Sequence, residues 1–326
     1  MGAPRTNTAT GRGTRRRTTR SIRSSTSSRW SGGSSAAPAL FDRDPGASAV
    51  TGALDGEQRR VEGLENFAIE EALRDFASRY PAVKLPPVVA LICAYEEADN
   101  IGDVLKAVPA EACGLPVTPL VIVDGGKDAT ARVSLDSGAV TCVLPTNLGH
   151  GVALRVGYRL AIDGGARFVV TLDADGQNDP AELPVMLEPL VEGTADFVVA
   201  SRRLGVDETS DQVRRAGVVV FAWLVNRLTG STLSDTSNGY RALTAELLSD
   251  VVDRLKQRQY QTAELLITVI SRGWRVTERP TVWRPRASGS SKKGSNPFFG
   301  FRYAYVVLRT WLRERRGRIA QRAASS

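Results

Sequence analysis

The segment Thr171-Leu172-Asp173-Ala174-Asp175-Gly176-Gln177-Asn178-Asp179-Pro180 constrains this chain more than any other. An apolar run from Arg167 to Leu172 ends in two aspartates one residue apart, and Pro180 then opens a helix at its first turn, where its missing amide costs nothing. The run is short and bounded by turn residues, so it reads as a buried strand. Two carboxylates one residue apart at a strand end can converge on a hard cation. Mg²⁺ or Mn²⁺ held in this way keeps positions open for phosphate oxygens. Turn-forming aspartates before Gly176 would produce the same D-x-D pattern. The pattern alone leaves both readings open.

The surroundings repeat the arrangement. Val88 to Ile92, Pro119 to Val123, Ala139 to Leu144, Arg167 to Leu172 and Asp196 to Ala200 read as buried strands, and segments near 98–108, 127–137, 150–163 and 180–191 read as helices. Alternating strands and helices predict βαβ units and a mainly parallel sheet flanked by helices. Ligands in such sheets gather at the carboxyl ends of the strands. Four successive strand ends are polar here: Tyr95-Glu96-Glu97, Asp124-Gly125-Gly126-Lys127-Asp128, Asn147-Leu148-Gly149-His150-Gly151 and Asp173-Ala174-Asp175. They point to one site.

The net charge of +8 invites a nucleic-acid reading, but eight arginines precede the first acidic residue, Asp42. The rest of the chain therefore sums to about zero, and nucleic-acid binding is disfavoured. Residues 1–50, rich in Arg, Ser and Thr, hold too little apolar surface to offset the entropy of ordering and are expected to be a disordered tail. Val61, Leu64, Phe67, Ala68, Glu71, Ala72 and Phe76 predict an amphipathic helix within 51–84, closed by Pro81. No stretch reaches the roughly 18 to 20 apolar residues that span a bilayer, and no apolar signal segment follows the first arginines. The expected location is cytoplasmic, peripheral on the inner face of the cell membrane. Cys93, Cys113 and Cys142 have no metal-ligand spacing and are read as buried apolar residues.

The strings ICAYEEADNI, VDGGKDAT, TNLGHGVALRVG, LDADGQNDP, ASRR, SDTSNGYRA and RASGSSK occur in this order between about Val88 and Lys292. On them the chain resembles inverting family 2 glycosyltransferases, within them the group of dolichol-phosphate mannose synthase and bacterial polyprenyl-phosphate sugar transferases. The resemblance implies a GT-A fold, one nucleotide-binding α/β domain over 85–285, with a basic lid loop and an amphipathic aromatic and basic helix over 286–326. It implies that Tyr95 and Glu97 line the nucleoside pocket, that Asp124 reads base or ribose, and that Asp173, Asp175 and Gln177 hold Mg²⁺ or Mn²⁺. It further implies that Arg202 with Arg214 or Arg215 meets the acceptor phosphate, and that Arg286 and Lys292 close over the donor diphosphate. Glu96, Val123, His150, Asn238 and Val218 depart from the family's usual residues.

His150, the only histidine, stands between glycines at a helix start, where it would give a hydrogen bond or charge to the donor diphosphate or merely replace the family's lysine. Asp235 is a candidate base were the acceptor a hydroxyl; Glu264 reads as helix support. The final helix, from about Pro297 to Arg316, mixes Phe298, Phe299, Phe301, Tyr303, Tyr305, Val306, Val307, Leu308, Trp311 and Leu312 with arginines, which suits either a membrane interface or a packed helix with a solvated arginine face. With Gly217 to Val225 it gives two apolar segments able to approach a lipid. The expected activity is inverting, metal-dependent transfer from a UDP- or GDP-linked sugar to a polyprenyl phosphate at a membrane surface. The alternatives are transfer to a saccharide or secondary-metabolite hydroxyl, and a non-catalytic nucleotide-sugar-binding protein.

Overall fold

The computed structural model describes residues 45–286 and 299–324. Most of the Arg-rich tail, together with Lys292 and its loop, lies outside the described residues. Strands β1 (Val88–Ala94), β3 (Leu115–Val123), β4 (Val140–Val143), β5 (Phe168–Asp173), β6 (Phe197–Asp207), β7 (Arg241–Thr244) and β8 (Val276–Trp283) form one sheet with the two-residue β2 (Glu111–Ala112). The order is β3-β1-β5-β7-β6-β8, with β4 on the other edge of β3 and β2 antiparallel to the start of β3. Every residue of β1, VVALICA, is buried, which fits a central parallel strand with both faces covered. Helices α2 (Ile101–Ala107), α3 (Thr130–Asp136), α4 (His150–Asp163) and α5 (Leu183–Val191) follow the strands that the sequence predicts. Two hydrophobic clusters result. One is built on Val89, Leu91, Leu120, Ile122, Val152 and Val156, the other on Val88, Ala90, Ile92, Val121, Met186 and Leu187. Adjacent residues of β1 divide between them, as strand alternation requires.

The sheet is mainly parallel, as expected, with one insertion that the sequence reading lacks. β7 lies antiparallel between β5 and β6. It is only four residues long and contains an arginine, so no apolar run announces it. Arg241 is nevertheless almost fully buried. Its guanidinium donates to the carbonyls of Asn238 at 2.8 Å, Thr236 at 3.0 Å and Thr262, and lies 5.5 Å from the Phe197 ring centroid. This gives a buried cation three neutral acceptors and fixes the loop before β7 to the start of α8 (Gln261–Ser271).

Helix α1 (Pro45–Arg79) starts earlier than the expected helix, and its buried face is narrower. Ala68, Ala72 and Phe76 are buried, whereas Leu64 and Phe67 are exposed. The last helix, α9 (Phe299–Ala324), packs Tyr303, Val306 and Val307 inward. Glu264 of α8 is fully buried and accepts from the Lys256 and Gln257 amides and, at 2.8 Å, from Arg313 of α9. It is a tie between elements, as its reading as helix support anticipated. Cys113, expected in the core, is exposed, while Cys93 and Cys142 are buried.

Glycine shapes one contact that the site depends on. The Gly151 amide donates to Arg258 O at 2.8 Å, and a Cβ at Gly151 would sit 2.2 Å from Gln257 O. Both atoms belong to backbone, which has little room to yield. Gly151→Ala is therefore expected to cost about 1–3 kcal/mol in urea unfolding. Gly63→Ala, with nothing within 4 Å of the new methyl in α1, is expected to be neutral or to stabilise by up to about 1 kcal/mol. Equal effects at the two positions would contradict the packing described.

Candidate functional site

The carboxyl ends of β1, β3 and β5 bring the predicted acidic residues to one edge of the sheet. Asp124 follows β3 and is buried. Its two carboxylate oxygens accept the amides of Leu148 at 2.7 Å and Gly149 at 2.9 Å. Burial pushes its pKa up to about 6, opposed by these two amides and by Arg258. With both oxygens on backbone, Asp124 shapes the loop leading to His150, a task that the sequence reading did not assign to it. Gly149, at φ +102°, allows that loop to turn, and His150 begins α4 half-buried. Tyr95 is half-buried in the turn after β1.

Arg286 links two strand ends. One guanidinium nitrogen donates to Glu97 Oε1 at 2.6 Å and the other to Asp175 Oδ2 at 2.8 Å. Glu97 also accepts from Asn100 Nδ2 at 2.7 Å, and Asp175 Oδ1 accepts the Gln177 amide at 3.1 Å. Both carboxylates are largely shielded from water, and Arg286 pairs with both. Asp173, two residues before Asp175, makes no hydrogen bond or ion pair among the described residues. Its carboxylate faces Gly239, where a Cβ would lie 3.2 Å from Oδ2.

These donors fit a divalent cation of the Mg²⁺ type. Asp173 and Asp175 supply hard oxygens, and a positive group already rests on Asp175. Among the described residues no three His, Cys, Asp or Glu side chains form a metal cage. Mg²⁺ needs none, because it binds through one or two carboxylates completed by water and phosphate. Gln177 follows in the same turn. Its side-chain nitrogen donates to Arg284 O at 3.3 Å, and its main-chain carbonyl accepts the Arg284 amide, pinning the turn after β5 to the end of β8.

A cationic group lies at the ends of β6 and β8. Arg202, in β6, is buried, and its guanidinium binds both oxygens of Asp235 at 2.6 and 2.9 Å and Ser237 Oγ at 2.7 Å. Arg214 and Arg215 occupy the first turn of α6 (Gln212–Thr229) and bind around Asp207 and Thr209. The guanidiniums of Arg202 and Arg214 lie 5.0 and 5.4 Å from the centroid of one indole, Trp283. Burial lowers the Arg214 pKa, as does the charge of Arg202, against the pull of Asp207. The Trp283 indole nitrogen and the Nε atoms of Arg214 and Arg215 are buried without a hydrogen-bond acceptor, Arg215 Nε facing Asp207 Oδ2 only at 3.7 Å, and the amide of Asn178, bridged to Trp283, is also unpaired. Three of these four groups only donate, so the unmet demand is mainly for negative charge.

Asp235 is not available as a base. Burial alone would raise its pKa, but the Arg202 hydrogen bonds and charge, with the Ser237 amide, hold it below the ordinary value. Trp283, Arg258 and Arg241 were missed from sequence. Trp283 ends a strand, so the strand-end rule would have found it had β8 been recognised. Arg258 acts on Leu148 O, 110 residues away, and leaves no local signal, whereas Arg241 lies within SDTSNGYRA and holds carbonyls three and five residues before it as well as that of Thr262.

The description "glycosyl transferase family 2" belongs to a family model that matches residues 89–276. A dolichyl-phosphate hexose transferase of Haloferax volcanii is 34% identical over 206 residues, 63% of this chain and 85% of that protein. An undecaprenyl-phosphate mannosyltransferase of Micrococcus luteus is 27% identical over 218 residues, 63% of this chain and 86% of that protein. Glucosyl-3-phosphoglycerate synthase of Mycobacterium tuberculosis, crystallised with Mn²⁺, UDP and glucosyl-3-phosphoglycerate, shares the fold with a TM-score of 0.54. That likeness is at 19% identity over 70% of this chain and 80% of the other.

The two kinds of carboxylate separate by stability. Removing one side of the buried Arg202–Asp235 pair strands a charge, so Asp235→Ala is expected to cost about 3–5 kcal/mol. Asp173→Asn removes no hydrogen bond among the described residues and is expected to change stability by less than about 1 kcal/mol. Urea unfolding of both variants checks this; comparable losses would contradict the division.

Proposed function

The chain belongs to glycosyl transferase family 2, and from that premise we propose that it transfers a sugar from a nucleoside-diphosphate sugar to a polyprenyl phosphate, in one inverting step. Helix α6 is the observation that carries the acceptor reading. It begins with Arg214 and Arg215, beside Trp283 and Arg202, and one to three turns later exposes Val219, Val220 and Trp223. Cations for a phosphate and an apolar surface for its chain thus lie on the same element. α9 packs on α6 through Phe221 and Tyr303, ring centroids 4.1 Å apart, and exposes Phe301, Tyr305, Leu308 and Leu312 at helical spacing, flanked by exposed Arg302, Arg309 and Arg316. An apolar stripe bordered by arginine suits the headgroup region of an anionic bilayer. Among the described residues no helix is long and apolar enough to cross a membrane. The names of the Haloferax and Micrococcus relatives support the same acceptor class.

On the donor side, Asp173 and Asp175 would hold Mg²⁺ or Mn²⁺ against the diphosphate. When bound, the cation supplies neutralisation of the charge that develops on the departing nucleoside diphosphate. Arg286, which rests on Glu97 and Asp175, would pass from them to the diphosphate. Lys292 is assigned to the same task from its sequence alone. Tyr95 and Glu97 would line the nucleoside pocket, with Asp124 contributing through the loop it braces and His150 at the amino end of α4 adding a donor to phosphate.

On the acceptor side, Arg202 and Arg214 with the Trp283 N–H would fix a phosphate oxygen for in-line attack on the anomeric carbon, opposite the leaving group. Alignment supplies much of the rate advantage. A phosphate is already ionised near neutral pH and needs no base, which agrees with Asp235 and Glu264 both being committed to arginine. A hydroxyl acceptor would need a base that neither residue offers.

Incubation with radiolabelled UDP- and GDP-sugars, a polyprenyl phosphate and Mn²⁺ or Mg²⁺ is expected to yield an organic-extractable labelled product. EDTA should abolish it, Asp173→Ala should reduce it at least 100-fold, and α-linked donors should give a β-linked product. Label found only in water-soluble glycosides would overturn the acceptor reading.

A further inference from the structure

The groups left unpaired beside Asp173 differ in kind from those beside Trp283. Asn238 has an unpaired Nδ2, Thr236 an unpaired hydroxyl, and Gln261 is unpaired at both amide atoms. All three residues are buried to within 1% of full coverage. They belong to one place, because the Arg241 guanidinium holds the carbonyls of Thr236, Asn238 and Thr262, and Gln261 immediately precedes Thr262. That place adjoins the carboxylate end of β5. Gly239 follows Asn238, its carbonyl accepts from Thr171 Oγ1 at 2.7 Å, and a Cβ on it would approach Asp173 Oδ2 to 3.2 Å.

Buried polar atoms without partners are uncommon in folded proteins and costly to keep. The unpaired atoms here both give and take hydrogen bonds, and none carries charge. An anion would call for donors, which predominate around Trp283; a polyhydroxyl group calls for this mixture. Arg241 also rigidifies the three backbones that carry the side chains, which is what a reader of hydroxyl positions needs.

Resting on the donor reading above, we propose that Thr236, Asn238 and Gln261 read the hydroxyl pattern of the transferred sugar and so set donor specificity. A site built to hydrogen-bond hydroxyls rejects a ligand that leaves its groups unpaired far more strongly than an apolar pocket rejects a misfit. The residues act on the sugar only, leaving the nucleoside diphosphate to Glu97, Asp173, Asp175 and Arg286.

The test needs no acceptor. With Mn²⁺ present, calorimetry gives Kd for UDP, GDP, UDP-glucose, UDP-galactose, UDP-N-acetylglucosamine and GDP-mannose on wild type, Gln261→Met and Asn238→Leu. Wild type is expected to separate donors sharing one nucleotide by at least tenfold. Gln261→Met, close to glutamine in size, is expected to compress that ratio to about threefold or less while the Kd for UDP and GDP stays within twofold. Asn238→Leu should act in the same direction if it folds, and Gln261→Met decides the matter if it does not. An unchanged sugar ratio in Gln261→Met, or equal weakening of nucleotides and nucleotide sugars, would overturn the proposal and leave these amides to buried water. Wild type that binds no nucleotide sugar would overturn the donor reading itself. Sugar discrimination lost as expected, in an enzyme that labels no lipid, would uphold this proposal while refuting the lipid acceptor.

Discussion

Carboxylates crowded at one edge of a parallel sheet must be supplied with positive charge, and much of this molecule is arranged around that demand. Glu97, Asp124, Asp173 and Asp175 all follow strands that run in the same direction, so the topology itself concentrates them. Asp124 is served by two amides and the charge of Arg258, and Glu97 and Asp175 share Arg286. Asp173 has no such hydrogen-bonded partner among the described residues. On the proposed reading, a divalent cation with its phosphate ligands would complete that edge, and Arg286 would give way to it.

The opposite sign governs the neighbouring region. At the ends of β6 and β8, arginines outnumber the carboxylates that meet them, and donor groups of Trp283 and Arg214 are left over. An acidic edge beside a basic one separates the tasks of the two substrates. On the proposed reading, the first would hold a leaving group through a cation and the second an attacking anion directly. Between them, Arg241 makes its hydrogen bonds to backbone carbonyls, which ties the intervening loop together, while its charge is felt by both Asp173 and Asp235.

The sequence made the acidic edge legible because strand and turn signals are local. Val88 to Ile92 and Arg167 to Leu172 are apolar runs that end in polar turns, and each residue of the site there lies within a few positions of its strand. What stayed hidden depends on distance along the chain. Asp124 looks like a ligand-facing carboxylate, yet its oxygens meet amides 24 and 25 residues later. Asp235 looks like a base until Arg202, 33 residues earlier, is found on it. β7 escaped because four residues containing a buried arginine do not resemble a strand, and without β7 the placing of β6, β8 and Trp283 could not be read. The last helix offered two readings in sequence, membrane-facing or packed, and in the structure it has a packed face and an apolar exposed one.

The central claim is that the edge formed by Asp173 and Asp175 takes a divalent cation in exchange for Arg286. Titration of Mn²⁺ followed by electron paramagnetic resonance, without nucleotide, tests it directly on wild type, Asp173→Asn and Arg286→Met. The account predicts that Arg286→Met binds Mn²⁺ at least about fivefold more tightly than wild type, because a competing cation is gone, and that Asp173→Asn weakens binding at least tenfold. Mn²⁺ affinity that is the same in all three proteins would contradict it.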